Sequence, residues 1–333
     1  MRILLTGAAG FIGSHLAKKL LDEGFQVLGI DKFSEYYSSE YKKCRIKKIG
    51  IENRLEIHEI DLINLDKLIS VSKKYKPDYI VHLAAQAGVR LPLQKSEIYL
   101  NDNVTSFLNV IKTANESNVK GILYASSSSV YSDASELPFQ EKTITLNPKS
   151  FYGITKLMNE KMAKIFSEST KIQMRGLRFF TVYGPWGRPD MAYFRLAASA
   201  TSDFTFNLFG DGSIRRDFTY IDNVVDNTFL LLQNLTQQSH GFNDIVNLGG
   251  GKPQSMLDLI NEIKKYSKDS IKIKSENENI LDSKVTMASR DYLESLIGIS
   301  TFKPIDQGVK ELMTWASTEE IRENLVAWIS STL

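Results

Sequence analysis

The first 24 residues constrain the fold more than any other stretch of the chain. Arg2-Ile3-Leu4-Leu5 is a short run rich in branched apolar side chains, and it leads directly into Thr6-Gly7-Ala8-Ala9-Gly10-Phe11-Ile12-Gly13. Apolar residues then recur at helical spacing over 14–23, and Gly24 follows. A buried strand that turns through glycines into a helix is the opening of a βαβ unit. Gly7 permits the tight turn, Gly10 lets backbone approach a phosphate closely, and Gly13 lets the helix pack on its strand. The helix start adds unpaired N–H groups and the positive end of its dipole, which suits a pyrophosphate.

The alternation continues. Short β-rich runs at 26–30, 55–60, 79–82, 121–125 and 172–180 are separated by helical patterns at 65–75, 103–117 and 149–169. This order predicts an α/β fold, a doubly wound parallel sheet with helices on both faces. Gly184, Pro185, Gly187 and Pro189 then break the pattern. Beyond them, strands at 205–208 and 271–274 mix with helices at 223–235, 255–266 and 305–317. Residues 217–235 read as a strand and helix that return to the first unit. The expected organisation is a dinucleotide-binding domain over 1–180, with returning chain around 215–248, and a smaller C-terminal α/β substrate cap mainly over 181–333.

Composition excludes several classes. A chain of 333 residues can bury roughly 75% of its unfolded surface and needs no metal or disulfide to fold. Its net charge of +2 gives no case for nucleic acid. The single cysteine, Cys44, fits a reducing compartment. No apolar run approaches the ~20 residues that span a bilayer, and the start lacks a leader pattern, so a cytoplasmic location without membrane contact is expected. The basic run Lys42, Lys43, Arg45, Lys47, Lys48 lies among acids and reads as a solvated face.

Three features carry chemistry. Asp31 ends the second strand, where an acid hydrogen-bonds an adenosine ribose and repels a 2′-phosphate. This favours NAD over NADP, with the adjacent Lys32 acting against it. Asp61 follows the third strand and suits the adenine edge, or else caps the next helix. Tyr152 and Lys156 form Y-x-x-x-K, one helical turn apart on one face. An ammonium beside a phenol stabilises phenolate, which would then act as a general base on a hydroxyl. Ser126-Ser127-Ser128-Ser129 lies at the carboxyl end of the fifth strand, where ligands bind parallel sheets. Those hydroxyls either relay a proton or form a polar loop.

Together these motifs resemble the extended short-chain dehydrogenase/reductases, NAD-dependent epimerases and dehydratases of nucleotide sugars. Four segments look closer still to UDP-glucuronate 4-epimerases. They are Asp31-Lys32-Phe33-Ser34-Glu35-Tyr36-Tyr37, His82-Leu83-Ala84-Ala85-Gln86-Ala87-Gly88-Val89-Arg90, the run at 125–131, and Arg178-Phe179-Phe180-Thr181-Val182-Tyr183-Gly184-Pro185-Trp186-Gly187-Arg188-Pro189-Asp190-Met191. The resemblance implies a triad of Ser127, Tyr152 and Lys156. It implies cofactor contacts at Phe11, Ile12, Leu62, Leu83, Ala84, Ala85, Asn103 and Phe179 beside the glycines. Arg216 would hold the substrate diphosphate. Arg90, Ser128, Ser129, Thr181 and Arg188 would face the sugar, where Arg188 either grips a carboxylate or pairs with Asp190. Dehydratases of the superfamily carry an Asp-Glu pair where this chain has Ser128-Ser129, which implies epimerisation instead. The implied reaction is 4-epimerisation of UDP-glucuronate with tightly held NAD. The alternatives are a neutral or N-acetylated UDP- or GDP-sugar, and more remotely a non-catalytic NAD-binding protein. The family also implies a homodimer formed through the helices at 101–117 and 149–169.

Overall fold

The computed structural model describes residues 1–88, 93–133, 135–143, 146–267, 271–277 and 283–332. The first part runs β1 (Arg2–Thr6), α1 (Phe11–Asp22), β2 (Gln26–Asp31), α2 (Ser39–Lys48), β3 (Glu56–Glu59), α3 (Leu65–Tyr75), β4 (Tyr79–His82), α4 (Ser96–Tyr99), α5 (Ser106–Glu116), β5 (Gly121–Ser127), α6 (Phe151–Thr170) and β6 (Gln173–Phe179). The second runs β7 (Thr181–Tyr183), α7 (Ala192–Thr201), β8 (Phe206–Phe209), β9 (Arg215–Arg216), β10 (Phe218–Tyr220), α8 (Ile221–Leu235), β11 (Asn243–Leu248), β12 (Gln254–Ser255), α9 (Met256–Lys264), β13 (Ile273–Glu276), α10 (Asp291–Ile297), α11 (Ile305–Ala316) and α12 (Glu319–Ser330).

Seven strands form one parallel sheet in the order β11-β6-β5-β4-β1-β2-β3. Both faces are covered, so the central strands are buried end to end. Their side chains divide between two cores by the strand period of two. Ile3 and Leu5 of β1, with Val81 of β4 and Leu123 of β5, enter the core beneath α1 and α8. Leu4, Ile80 and Ile122 enter the core beneath α3 and α5. The strand that returns from the second part is β11, which pairs with β6. Of the stretch 217–235, the helix α8 does return and packs on α1, whereas the strand β10 pairs with β7 in a separate two-stranded sheet.

The chain reverses winding between β1 and β4, and the crevice of a doubly wound sheet opens there. Gly7 stands at that crevice with φ +71°. A Cβ on it would lie 2.7 Å from the Ala84 backbone nitrogen in the loop after β4. Only glycine allows the two loops to meet so closely.

The basic run departs from the expectation of a solvated face. It forms α2, but Lys42 is 4% exposed and Arg45 is 0% exposed. Arg45 turns inward because backbone carbonyls of two loops accept its donors. Among the described residues, no helix is long and apolar enough to cross a membrane.

Candidate active site

The carboxyl ends of the sheet open into a cavity of about 680 Å³. One end is built by the glycine loop. Gly7, Gly10, Phe11, Ile12 and Gly13 all line it, and no side chain caps α1, so the first turn presents its N–H groups to a ligand. A Cβ on Gly10 would meet little but the Gly7 carbonyl, at 3.0 Å, and would extend over the loop where a pyrophosphate belongs. Asp31 shapes this end: its carboxylate accepts Ala9 N at 3.0 Å and Phe33 N at 2.8 Å. Lys32 does not offer a free cation to a 2′-phosphate. Its ammonium lies 2.5 Å from Asp102 and 3.5 Å from Asp61. Asp61 is not a helix cap, since Asn64 caps α3. It lines the cavity beside Leu62, as Leu83, Ala84, Ala85 and Phe179 also do. An apolar floor, a carboxylate for ribose hydroxyls and an open helix start fit NAD.

Asn103 does not line this cavity. It is 0% exposed and bonds Gln86 through both backbone groups and Thr155 through its hydroxyl. It braces the loop after β4 against α6. It lies in a π-helical turn over Leu100–Thr105, whose extra residue re-aims side chains.

Ser127, Ser128, Ser129, Tyr152 and Lys156 form the middle wall. Ser150 caps α6 by accepting Gly153 N at 3.1 Å, which places Tyr152 in the first turn. A Cβ on Gly153 would stand 2.3 Å from the Ser129 carbonyl, so glycine lets α6 press its start against the serine turn. Ser127 Oγ accepts Ser129 N at 3.1 Å. Lys156 is 1% exposed and donates to Ala125 O at 3.0 Å. Its Nζ stands 5.8 Å from the Tyr152 ring centre. The expected lysine-depressed phenol is corrected by these contacts. Burial raises the Tyr152 pKa above 10, opposed by the Arg188 charge and the Ser127 hydroxyl. Lys156 itself is pushed down to about 8 by burial.

Ser126 faces away. Its hydroxyl donates to Glu160 at 2.5 Å, and Arg178 holds the same carboxylate bidentately at 2.8 Å on each arm. This pair is 3% and 5% exposed and keys α6 to β5 and β6. Glu160 escaped the sequence reading, although Tyr152, Lys156 and Glu160 repeat every four residues along one helical face. Arg178 had no such signal.

The far end is polar. Thr181, Arg188 and Arg216 line it. Arg216 donates to Ser283 O at 2.5 Å and Arg215 O at 3.1 Å. Arg188 is bound bidentately by Asp190, at 3.0 Å from Nε and 2.5 Å from Nη2. Tyr36 donates to the same carboxylate at 3.2 Å. Arg90 lies outside the described residues.

Comparison with known proteins places this geometry. A model described as the NAD dependent epimerase/dehydratase family matches residues 3–249, from β1 to the end of β11. Protein CapI of Staphylococcus aureus is 35% identical, over 95% of this chain and 98% of its own. UDP-glucuronate 4-epimerase of Thermodesulfobacterium geofontis is 34% identical, over 94% and 95%. The solved structure of UDP-glucuronic acid 4-epimerase from Bacillus cereus, in complex with UDP-glucuronic acid and NAD, aligns with a TM-score of 0.86 at 31% identity, over 95% of this chain and 98% of that one. Since the match spans the whole central sheet, and relatives of similar length align end to end, the chain belongs to the NAD dependent epimerase/dehydratase family.

Proposed function

We propose that this protein is a nucleotide-sugar 4-epimerase that interconverts UDP-glucuronate and UDP-galacturonate. The observation that carries the reading is the middle wall. Ser127, Tyr152 and Lys156 meet there, and Ser128 and Ser129 face the same cavity without the carboxylate pair that elimination of water requires. The glycine loop and Asp31 would hold NAD, which when bound would supply hydride-transfer chemistry at C4 of the sugar. Tyr152 exchanges the C4 hydroxyl proton through its phenolic oxygen, which the bound substrate and the positive charge of NAD would have to bring into play against the burial that raises its pKa. Ser127 orients that hydroxyl. Lys156 holds a positive charge behind the phenol and keeps it in place. Arg216 binds the diphosphate, while Thr181, Ser128, Ser129 and Arg188 contact the sugar. Arg90 keeps the same role on sequence grounds.

The division of labour follows the chain, with 1–180 and the stretch around 215–248 holding cofactor and 181–333 mainly holding the nucleotide sugar. The protein is proposed to be a cytoplasmic homodimer. Ile154, Met158 and Ile165 are 43%, 41% and 64% exposed along α6, an apolar stripe that a second copy would cover.

One observation favours a second reading. Asp190 already neutralises Arg188, which leaves the sugar site less cationic and suits a neutral sugar. Purified protein incubated without added NAD and followed by NMR tests both. UDP-glucuronate should yield UDP-galacturonate. Turnover of UDP-glucose, UDP-N-acetylglucosamine or a GDP-sugar with UDP-glucuronate inert would replace the first reading by the second.

A further inference from the structure

Arg45 is a fully buried cation whose hydrogen bonds go to no carboxylate. Its Nε donates to Trp186 O at 2.7 Å, and Nη2 to Gly187 O at 3.2 Å. Its Nη1 donates to Ala9 O at 2.8 Å and to the Tyr37 hydroxyl at 3.3 Å. The guanidinium lies 4.7 Å from the Tyr41 ring centre and 5.7 Å from that of Tyr37. An ion taken out of water without a counter-charge is costly, so the contacts it makes must matter to the fold or to the site. These contacts join two loops that are remote in sequence. Ala9 lies between Gly7 and Gly10, and its own N–H is held by Asp31. Trp186 and Gly187 immediately precede Arg188. Only a planar fork with five donors reaches all three carbonyls at once.

We propose that Arg45 is a positioning residue that fixes the dinucleotide loop and the sugar loop in one register. It touches neither ligand and acts through Ala9 at one end of the cavity and through Trp186 and Gly187 at the other. The inference rests on the reading that these loops bind NAD and a nucleotide sugar. Tyr41 is the internal comparison, because its hydroxyl donates to Gly187 O at 2.8 Å in the sugar loop, and it meets the dinucleotide loop only through its ring contact with Arg45.

The test compares Arg45→Met, Arg45→Lys and Tyr41→Phe, each prepared as the protein purifies. NAD released on denaturation is quantified, KM and kcat are measured for the nucleotide sugar, and folding is checked by a cooperative melt. Arg45→Met should lose tenfold or more of the retained NAD and raise KM tenfold or more, with kcat per NAD-loaded molecule within a few-fold. Arg45→Lys, which keeps the charge but not the fork, should not restore either. Tyr41→Phe should raise KM several-fold with NAD retention unchanged. A folded Arg45→Met that changes only one of the two quantities, or neither, overturns the proposal, and so does full rescue by lysine. If Arg45→Met does not fold, an unchanged KM in Tyr41→Phe overturns it. If the wild-type protein turns over no nucleotide sugar, the functional reading fails separately. NAD retention and calorimetric binding of UDP then test Arg45.

Discussion

Lys156→Met should make the protein more stable at neutral pH while it abolishes epimerisation. The ammonium is 1% exposed and has one acceptor, Ala125 O. Burial lowers its pKa from 10.5 to about 8, which costs the folded state ~3 kcal/mol at pH 7, at ~1.4 kcal/mol per pH unit. Methionine fills a similar volume without that cost. It also leaves the Ala125 carbonyl without its donor, a loss of ~1–2 kcal/mol. The net gain at pH 7 is ~1–2 kcal/mol, or ~1.5–3 °C in Tm for a chain of this size. The sign reverses with pH. The folded-state pKa lies below the unfolded one, so the wild-type penalty is complete below pH 8 and disappears as pH rises from 8 to 10.5. The variant has no such term. Urea titrations of both proteins, stripped of nucleotide, at pH 7 and pH 10.5 should therefore show the variant more stable at the first and less stable at the second. A variant that is less stable at pH 7, or a difference that does not change with pH, would refute the buried-cation argument.

Tyr152→Phe should fold normally, judged by its melt, and lose ~10²–10⁴ in kcat as the base is removed. Ser127→Ala should lower kcat by more than tenfold while Ser126→Ala leaves it within about threefold, because the Ser126 hydroxyl is spent on Glu160; equal losses would contradict that division. Asp102→Asn should leave the Lys32 ammonium with only its longer Asp61 contact and shift the NADP-to-NAD affinity ratio toward NADP by up to roughly tenfold, ~1.4 kcal/mol, as measured by equilibrium binding to nucleotide-free protein.

Much of the site was legible because its signals are local. Gly7, Gly10 and Gly13 follow a strand directly, Asp31 ends the next one, and Tyr152 and Lys156 are one turn apart on one helix. Each pattern is completed within a few residues by backbone geometry, so the order of residues determined the glycine loop, the parallel sheet and the catalytic face of α6. Lys42 and Arg45 show the limit. A run of cations among acids reads as solvated by composition, and nothing local says which member turns inward. The partners of Arg45 are carbonyls 36 and 141 residues away, and a carbonyl has no sequence signature. The same holds for Asn103, which the fold turned from the cavity into a brace, and for the direction in which the Tyr152 pKa is shifted. Spacing alone sets Lys156 near Tyr152. Burial and the charge of Arg188, 36 positions further along, were decided only when the chain closed around them. Local patterns determined which groups can react here. The tertiary structure decided their charge, because desolvation and remote ion pairs exist only in the packed molecule.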